Sequence, residues 1–237
     1  PRSTPLYSSA ASDVYKRQIQ GNLMGIMYKG GFIVPMLLAV NLIVFVFSIE
    51  RLITLGKVSG TGNVKEFIQT IRGYVANNQV NEAIAACDRQ QGSIANVIRT
   101  GLTELQRVEK DGGMNKEEKI AAIQKGLEEA TALELPMMSK NLVILSTCAS
   151  ISVLIGLIGT VLGMITAFSA MAQAGSPDTV ALATGVSEAL VNTLFGILGS
   201  TLGIIFYNYF SSKVDALTFA IDEAGFSIVQ TFSTHTK

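Results

Sequence analysis

Between Lys140 and Lys213 the chain carries only two charges, Asp178 and Glu188, and the apolar residues around them extend well past the length of a buried soluble helix. A further uncharged run covers residues 30–49 and is closed by Glu50 and Arg51. An uncharged helix of about 20 residues, rising 1.5 Å per residue, crosses a hydrocarbon core about 30 Å thick. The expectation is an all-α membrane protein with three spans, at residues 26–50, 136–174 and 180–212. The last two are longer than one crossing requires, and such helices tilt or project into water. Pro35 falls in the first turns of the first span, where a missing amide hydrogen bond is tolerated. The competing reading is a buried soluble hairpin of residues 142–174 and 180–210, which has hardly any polar face to offer solvent.

Composition points the same way. With 49% apolar and 15% charged residues and a mean hydropathy of +0.41, the chain is too apolar for an ordinary soluble domain. Basic and acidic residues balance at 18 each without a dense basic run, so nucleic acid is not expected as a partner. Cys87 and Cys148 are far apart in sequence and belong to no metal-ligand cluster, so both are expected reduced. His235 is the single histidine and lies in a polar tail, which argues against a histidine-based metal site or catalytic triad. Residues 1–18 have no apolar core and do not resemble a secretory signal. They read as part of an N-terminal tail (residues 1–25) that is disordered or unrelated to the folded part.

The turn at residues 175–179 is too short for anything but a tight hairpin connection and holds no lysine or arginine. Arg51, Lys57 and Lys65 follow the first span, Lys140 precedes the second and Lys213 follows the third. The positive-inside rule then puts residues 51–135 and 213–237 in the cytoplasm and the N-terminus outside, with Lys29 dissenting. In the large polar segment, Val64, Phe67, Ile68 and Ile71 recur at helical spacing. Residues 81–87 and 94–105 give two further amphipathic helices, separated by a Gln-Gln-Gly-Ser break. Residues 115–135 mix Glu117, Glu118, Lys119, Lys125, Glu128 and Glu129 with Ile120, Ile123, Leu127 and Ala130. That helix is expected to start after the Asp111-Gly112-Gly113 turn and to run through Pro136 into the second span. Its charges read as a solvated surface.

Small residues mark one face of each later span. Ser152, Gly156, Gly159, Thr160, Gly163 and Ala167 fall on one side of the second, with Leu154, Ile158, Val161 and Ile165 turned away. The third repeats the pattern with Asn192, Gly196, Gly199, Ser200 and Gly203. Such seams let backbones approach closely where packing, not hydrophobic burial, drives association. Helix packing alone accounts for the glycines. It accounts less well for Glu188, Asn192 and Thr193, which crowd into little more than one turn with Thr184 and Ser187 beyond them. Thr193 is rotated about 140° from Glu188, so the two bracket a face. Thr160 stands on the facing seam.

No lysine or arginine in the spans can pair with Glu188. An ionised carboxylate in hydrocarbon is prohibitive unless paired or hydrated, so Glu188 either holds its proton or borders a hydrated lumen. A group alternating between those conditions suits a proton relay. The alternative is a carboxyl near the outer boundary that snorkels or caps a helix. Threonine hydroxyls donate and accept at once and can order water without adding charge; equally, they can satisfy a carbonyl of their own helix.

The segments GLIGTVLGMITAF (residues 156–168) and GVSEALVNTLFGILGSTLGIIFYNYF (residues 185–210) resemble the membrane hairpin of the MotA/TolQ/ExbB proton-channel family. GGFIVPMLLAVNLIVFVFSIERL (residues 30–52) is similar to the first span of its ExbB/TolQ branch, and CDRQQGSIANVIRTGL (residues 87–102) to that branch's cytoplasmic segment. Together these cover nearly everything after residue 25. The double glycine and the Glu-Arg-Leu ending are most like ExbB-type biopolymer transport proteins. The flagellar stator members have four spans and the gliding-motility members two, against three here.

The resemblance implies a multi-pass protein of the bacterial inner membrane, in contact with phospholipid and assembled as a homopentamer around a dimer of a single-span partner, ExbD-like or TolR-like. The partner's membrane aspartate would share in proton passage, and the energy would pass to a TonB-like or TolA-like protein. The family's threonine in the second span falls on Thr160, and its glutamate and threonine in the third on Glu188 and Thr193. Asn192 holds a position often small or hydroxylated in the family. The expected proton pathway is therefore Thr160, Glu188, Thr193 and Asn192, with Gly156, Gly159, Gly163, Gly196, Gly199 and Gly203 packing the helices. No cofactor, metal or catalytic residue is expected. The alternatives are a subunit of the Tol-Pal envelope motor and a non-conducting scaffold. An intramembrane enzyme fares poorly, since the spans contain no histidine, no second carboxylate and no serine–lysine pair.

Overall fold

The computed structural model describes residues 31–110, 113–173 and 179–235, and every regular element among them is an α-helix. In chain order these are α1 (Ile33–Ser59), α2 (Val64–Ala76), α3 (Val80–Gln90), α4 (Gly92–Lys110), α5 (Lys116–Ser139), α6 (Leu142–Gln173) and α7 (Thr179–His235). Among the described residues, three helical stretches, containing α1, α6 and α7, are long and apolar enough to cross a membrane. The N-terminal tail, residues 111–112 and residues 174–178 with Asp178 lie outside the described residues.

The sequence sets the ends of the helices. Asn63 caps α2, its side-chain oxygen accepting from the Lys65 amide at 3.1 Å. Asn115 and Glu118 form a reciprocal capping box at the start of α5, with amide-to-oxygen distances of 2.9 and 2.8 Å. The helix of the third apolar run extends past residue 212 to His235, giving α7 a total of 57 residues, because Val214, Leu217, Ile221, Ala224 and Ile228 carry a three-four apolar spacing onward and bury it. At Pro136 the outcome is divided. α5 runs through the proline, but it ends three residues later at Ser139, and α6 begins only after Asn141, whose φ is +63°.

The described chain divides into two compact units, the first drawn from residues up to 47 and from 144–206, the second from 48–143 and from 207 onward. In the first, α6 and the early part of α7 meet along their small residues, and Phe45 of α1 packs edge-to-face on Phe206 with ring centres 6.5 Å apart. Leu154, Ile158, Val161 and Ile165 are exposed, as a lipid-facing surface requires.

The second unit has an interior of ordinary soluble type. Phe67, Ile71, Ile94, Ile98, Leu102 and Ile123 are buried, and α4 packs on both α3 and α5. The break between α5 and α6 is held by α1. Arg51 is 1% exposed, forks both carboxylate oxygens of Glu50 at 2.7 and 2.8 Å, and donates to the Met138 carbonyl at 3.3 Å. Glu50 also accepts from Thr54 at 2.9 Å and from the Asn141 side-chain amide at 3.2 Å. A cation at the last carbonyls of α5 opposes the negative end of that helix, which gives Arg51 a reason to be buried.

Candidate functional site

The seam between α6 and α7 is close because the facing residues are nearly all small. A Cβ on Gly156 would lie 3.0 Å from the Gly196 Cα, and one on Gly196 2.9 Å from the Gly156 Cα. Gly163 faces Ala189 and the Gly185 carbonyl, and Gly203 faces Ala149. Gly159 lies against the side chain of Asn192, and Gly199 against Ser152 Oγ and Asn41 Oδ1. The seam therefore brings selected polar groups into contact with bare backbone.

Thr160 of α6 and Thr193 of α7 meet across this seam with their hydroxyls hydrogen-bonded to each other. Thr160 Oγ1 lies 3.1 Å from the Gly156 carbonyl, and Thr193 Oγ1 3.2 Å from that of Ala189, which Thr160 also reaches at 3.5 Å. Two hydroxyl protons thus have more acceptors than they can serve at once. Each hydroxyl can rotate between a helix carbonyl and its partner, which is the property a proton wire needs.

Asn192 is placed differently from its sequence neighbours. It is 1% exposed, packed on Gly159, and neither its Oδ1 nor its Nδ2 has a hydrogen-bond partner among the described residues. Ser152 Oγ and Asn41 Oδ1 share that condition. Asn41 anchors itself by donating from Nδ2 to the Leu37 carbonyl at 2.8 Å and, across to α7, to that of Phe195 at 3.4 Å. Ser152 and Asn41 come together at Gly199, about two turns along α7 from Asn192. Asn41 is absent from the candidates drawn from the sequence, although it is the one carboxamide in its apolar run.

Glu188 is half-buried, and its carboxylate rests against Gly31, just before α1 begins. It shares its helix with Thr193 but lies more than a turn away along it. Thr184, nearer the start of α7, is exposed and donates to its own helix at the Val180 carbonyl, 2.8 Å away. The structure therefore joins Thr160 to Thr193, buries Asn192 between helices, and sets Glu188 beside the opening of α1. Among the described residues no group of three or more His, Cys, Asp or Glu side chains could hold a metal ion.

Residues 89–223, more than half of the chain, match the model of the MotA/TolQ/ExbB proton channel family. The chain is 24% identical to a putative biopolymer transport protein ExbB homologue of Methanothermobacter thermautotrophicus, over 82% of this chain and 65% of that one. It is 27% identical to the Tol-Pal system protein TolQ of Pseudomonas aeruginosa, over 54% of this chain and 59% of the relative. Against the biopolymer transport protein ExbB of Salmonella typhimurium the identity is 33%, over 30% of this chain and 29% of the relative. The chain thus spans less than two-thirds of the length of each of these relatives.

Proposed function

This chain belongs to the MotA/TolQ/ExbB proton channel family, and from that premise we infer that it is the channel-forming subunit of an inner-membrane motor driven by the proton motive force. Glu188 is the group that takes and releases the proton, and Thr160 and Thr193 are the hydroxyls that carry it past the seam. The single observation that carries this reading is the Thr160–Thr193 hydroxyl pair across the α6–α7 seam, with Glu188, the only glutamate of its apolar run, on the same helix as Thr193. A scaffold would need the glycines and would have no use for the carboxylate.

One chain supplies one carboxylate, so the relay needs a second acid from a partner. A single-span ExbD-like or TolR-like dimer inside a homopentamer meets that need. The second unit offers a surface for further copies. There α5 and α7 border an open groove of about 750 Å³ lined by Leu127, Leu135, Ile221, Phe226 and Val229. Leu133, Phe219 and Phe226 are largely exposed in the same unit, apolar surface that a packed copy would cover. The Lys and Arg distribution supports a periplasmic N-terminus, with residues 51–135 and the C-terminal part of α7 cytoplasmic. The double glycine and the Glu-Arg-Leu ending of the first span favour service to a TonB-like protein over a TolA-like one.

The test is energy-dependent uptake across the outer membrane in cells whose only copy of this chain is Glu188→Ala or Glu188→Gln. Both variants should assemble with the partner and lose uptake by about a hundredfold, the scale of losing a positioned proton-transfer group. Normal uptake by both would leave the scaffold reading standing.

A further inference from the structure

We propose that the turn at Gly31, ahead of α1, is the seat of the Glu188 carboxylate, so that the first span positions the acid of the proton path. The proposal rests on the proton-channel reading and adds to it a residue from the turn ahead of α1, to which that reading gives no part. Three observations meet at this point. The carboxylate of Glu188 lies so near the Gly31 Cα that a Cβ there would overlap its Oε1 and lie 2.8 Å from its Cδ. Gly31 has φ +65°, a conformation that L side chains rarely adopt, so glycine is required for a second and separate reason. Gly31 also stands two residues before α1, close to the end where the helix presents its amides and the positive end of its dipole.

That end of a helix attracts a carboxylate, while the hydroxyl pair lies deeper along α7. The overlapping atoms belong to the free end of a flexible side chain, so a methyl group at residue 31 displaces the carboxylate before it disturbs the helices. Gly31 is thus a positioning residue that acts through Glu188.

The experiment compares Gly31→Ala, Glu188→Asp and the double variant, each as the full chain co-purified with its single-span partner and reconstituted in vesicles. The readouts are proton flux and the infrared carboxyl band of Glu188, identified by its loss in Glu188→Gln. Gly31→Ala should lower flux about tenfold, as a misplaced reacting group does, and move the band while the assembly stays intact. Glu188→Asp, one methylene shorter, withdraws the carboxylate from the added methyl. The double variant should then conduct as well as Glu188→Asp alone. Wild-type flux with an unmoved band in Gly31→Ala overturns the proposal. An equal loss from Gly31→Ala in the wild-type and Glu188→Asp backgrounds also overturns it, since strain at residue 31 alone would then explain the defect. Where Gly31→Ala does not assemble, Gly31→Cys with Glu188→Cys, in a chain carrying Cys87→Ala and Cys148→Ala, decides the matter. The Glu188 Cγ lies 3.6 Å from a Cβ at residue 31, so an intrachain disulfide should form on oxidation, and its failure to form contradicts the seat. Full flux in Glu188→Gln would instead remove the proton-channel reading itself, independently of Gly31.

Discussion

Among single residues, the polar groups of the first unit divide by what they touch. Thr160 and Thr193 have each other, whereas Asn192 is sealed against Gly159 with neither amide atom bonded among the described residues. A buried amide without a partner costs about 1–3 kcal/mol, and replacing it with an apolar group of similar shape is neutral or stabilising. Asn192→Leu should therefore leave the melting temperature of the detergent-solubilised assembly unchanged or raised. If Asn192 serves the path, proton flux falls in the same variant; a stable variant with full flux removes it from the pathway. Spacing had no means of separating Asn192 from Glu188. Four residues apart on a helix, they share a side, and only the packing of Gly159 and Gly31 shows that one is enclosed and the other rests at a helix opening.

Among the helices, two contacts fix how the long ones run. Gly156 and Gly196 are in mutual backbone contact, so Gly156→Leu should separate α6 from α7 and cost about 1–3 kcal/mol or more, read as loss of assembly in a detergent melt. Arg51 holds the α5–α6 break. Its removal strands the Glu50 carboxylate and the Met138 carbonyl, though Glu50 is 39% exposed and water recovers part of the loss. Arg51→Ala should accordingly destabilise by about 1.5–3 kcal/mol, with faster hydrogen exchange at residues 138–142 as its local signature. The glycine seam was legible in the sequence because a helix repeats its faces every few residues. The break was not. Pro136 is the visible signal, yet proline is accommodated inside α5. The interruption falls instead at Lys140–Asn141, beside a carbonyl satisfied by an arginine 87 residues earlier in the chain.

In the molecule as a whole, length and charge alone separated apolar spans from a polar helical segment, because neither property depends on how helices pack. The exposed apolar residues of the second unit, such as Phe219 and Phe226, lead from one chain to an assembly. Cys87 reports on that unit from inside. Burial, with the neighbouring Asp88 charge adding to it, pushes its thiol from 9.0 up to about 12. The folded chain keeps this proton while the unfolded chain gives it up above about pH 9, so stability should fall as pH rises from about 9 towards 12. Alkylation of Cys87 at mildly alkaline pH should be slow in the folded protein and fast in denaturant. Equal rates would mean that the α3–α4 interior is open. The hairpin conducts only if protons cross through Glu188. The deciding measurement is proton flux into vesicles holding the chain with its single-span partner, wild type against Glu188→Gln. Voltage-driven acidification is expected with the wild type and a flat trace with an equally assembled Glu188→Gln; equal acidification by the two would contradict a path through this carboxylate.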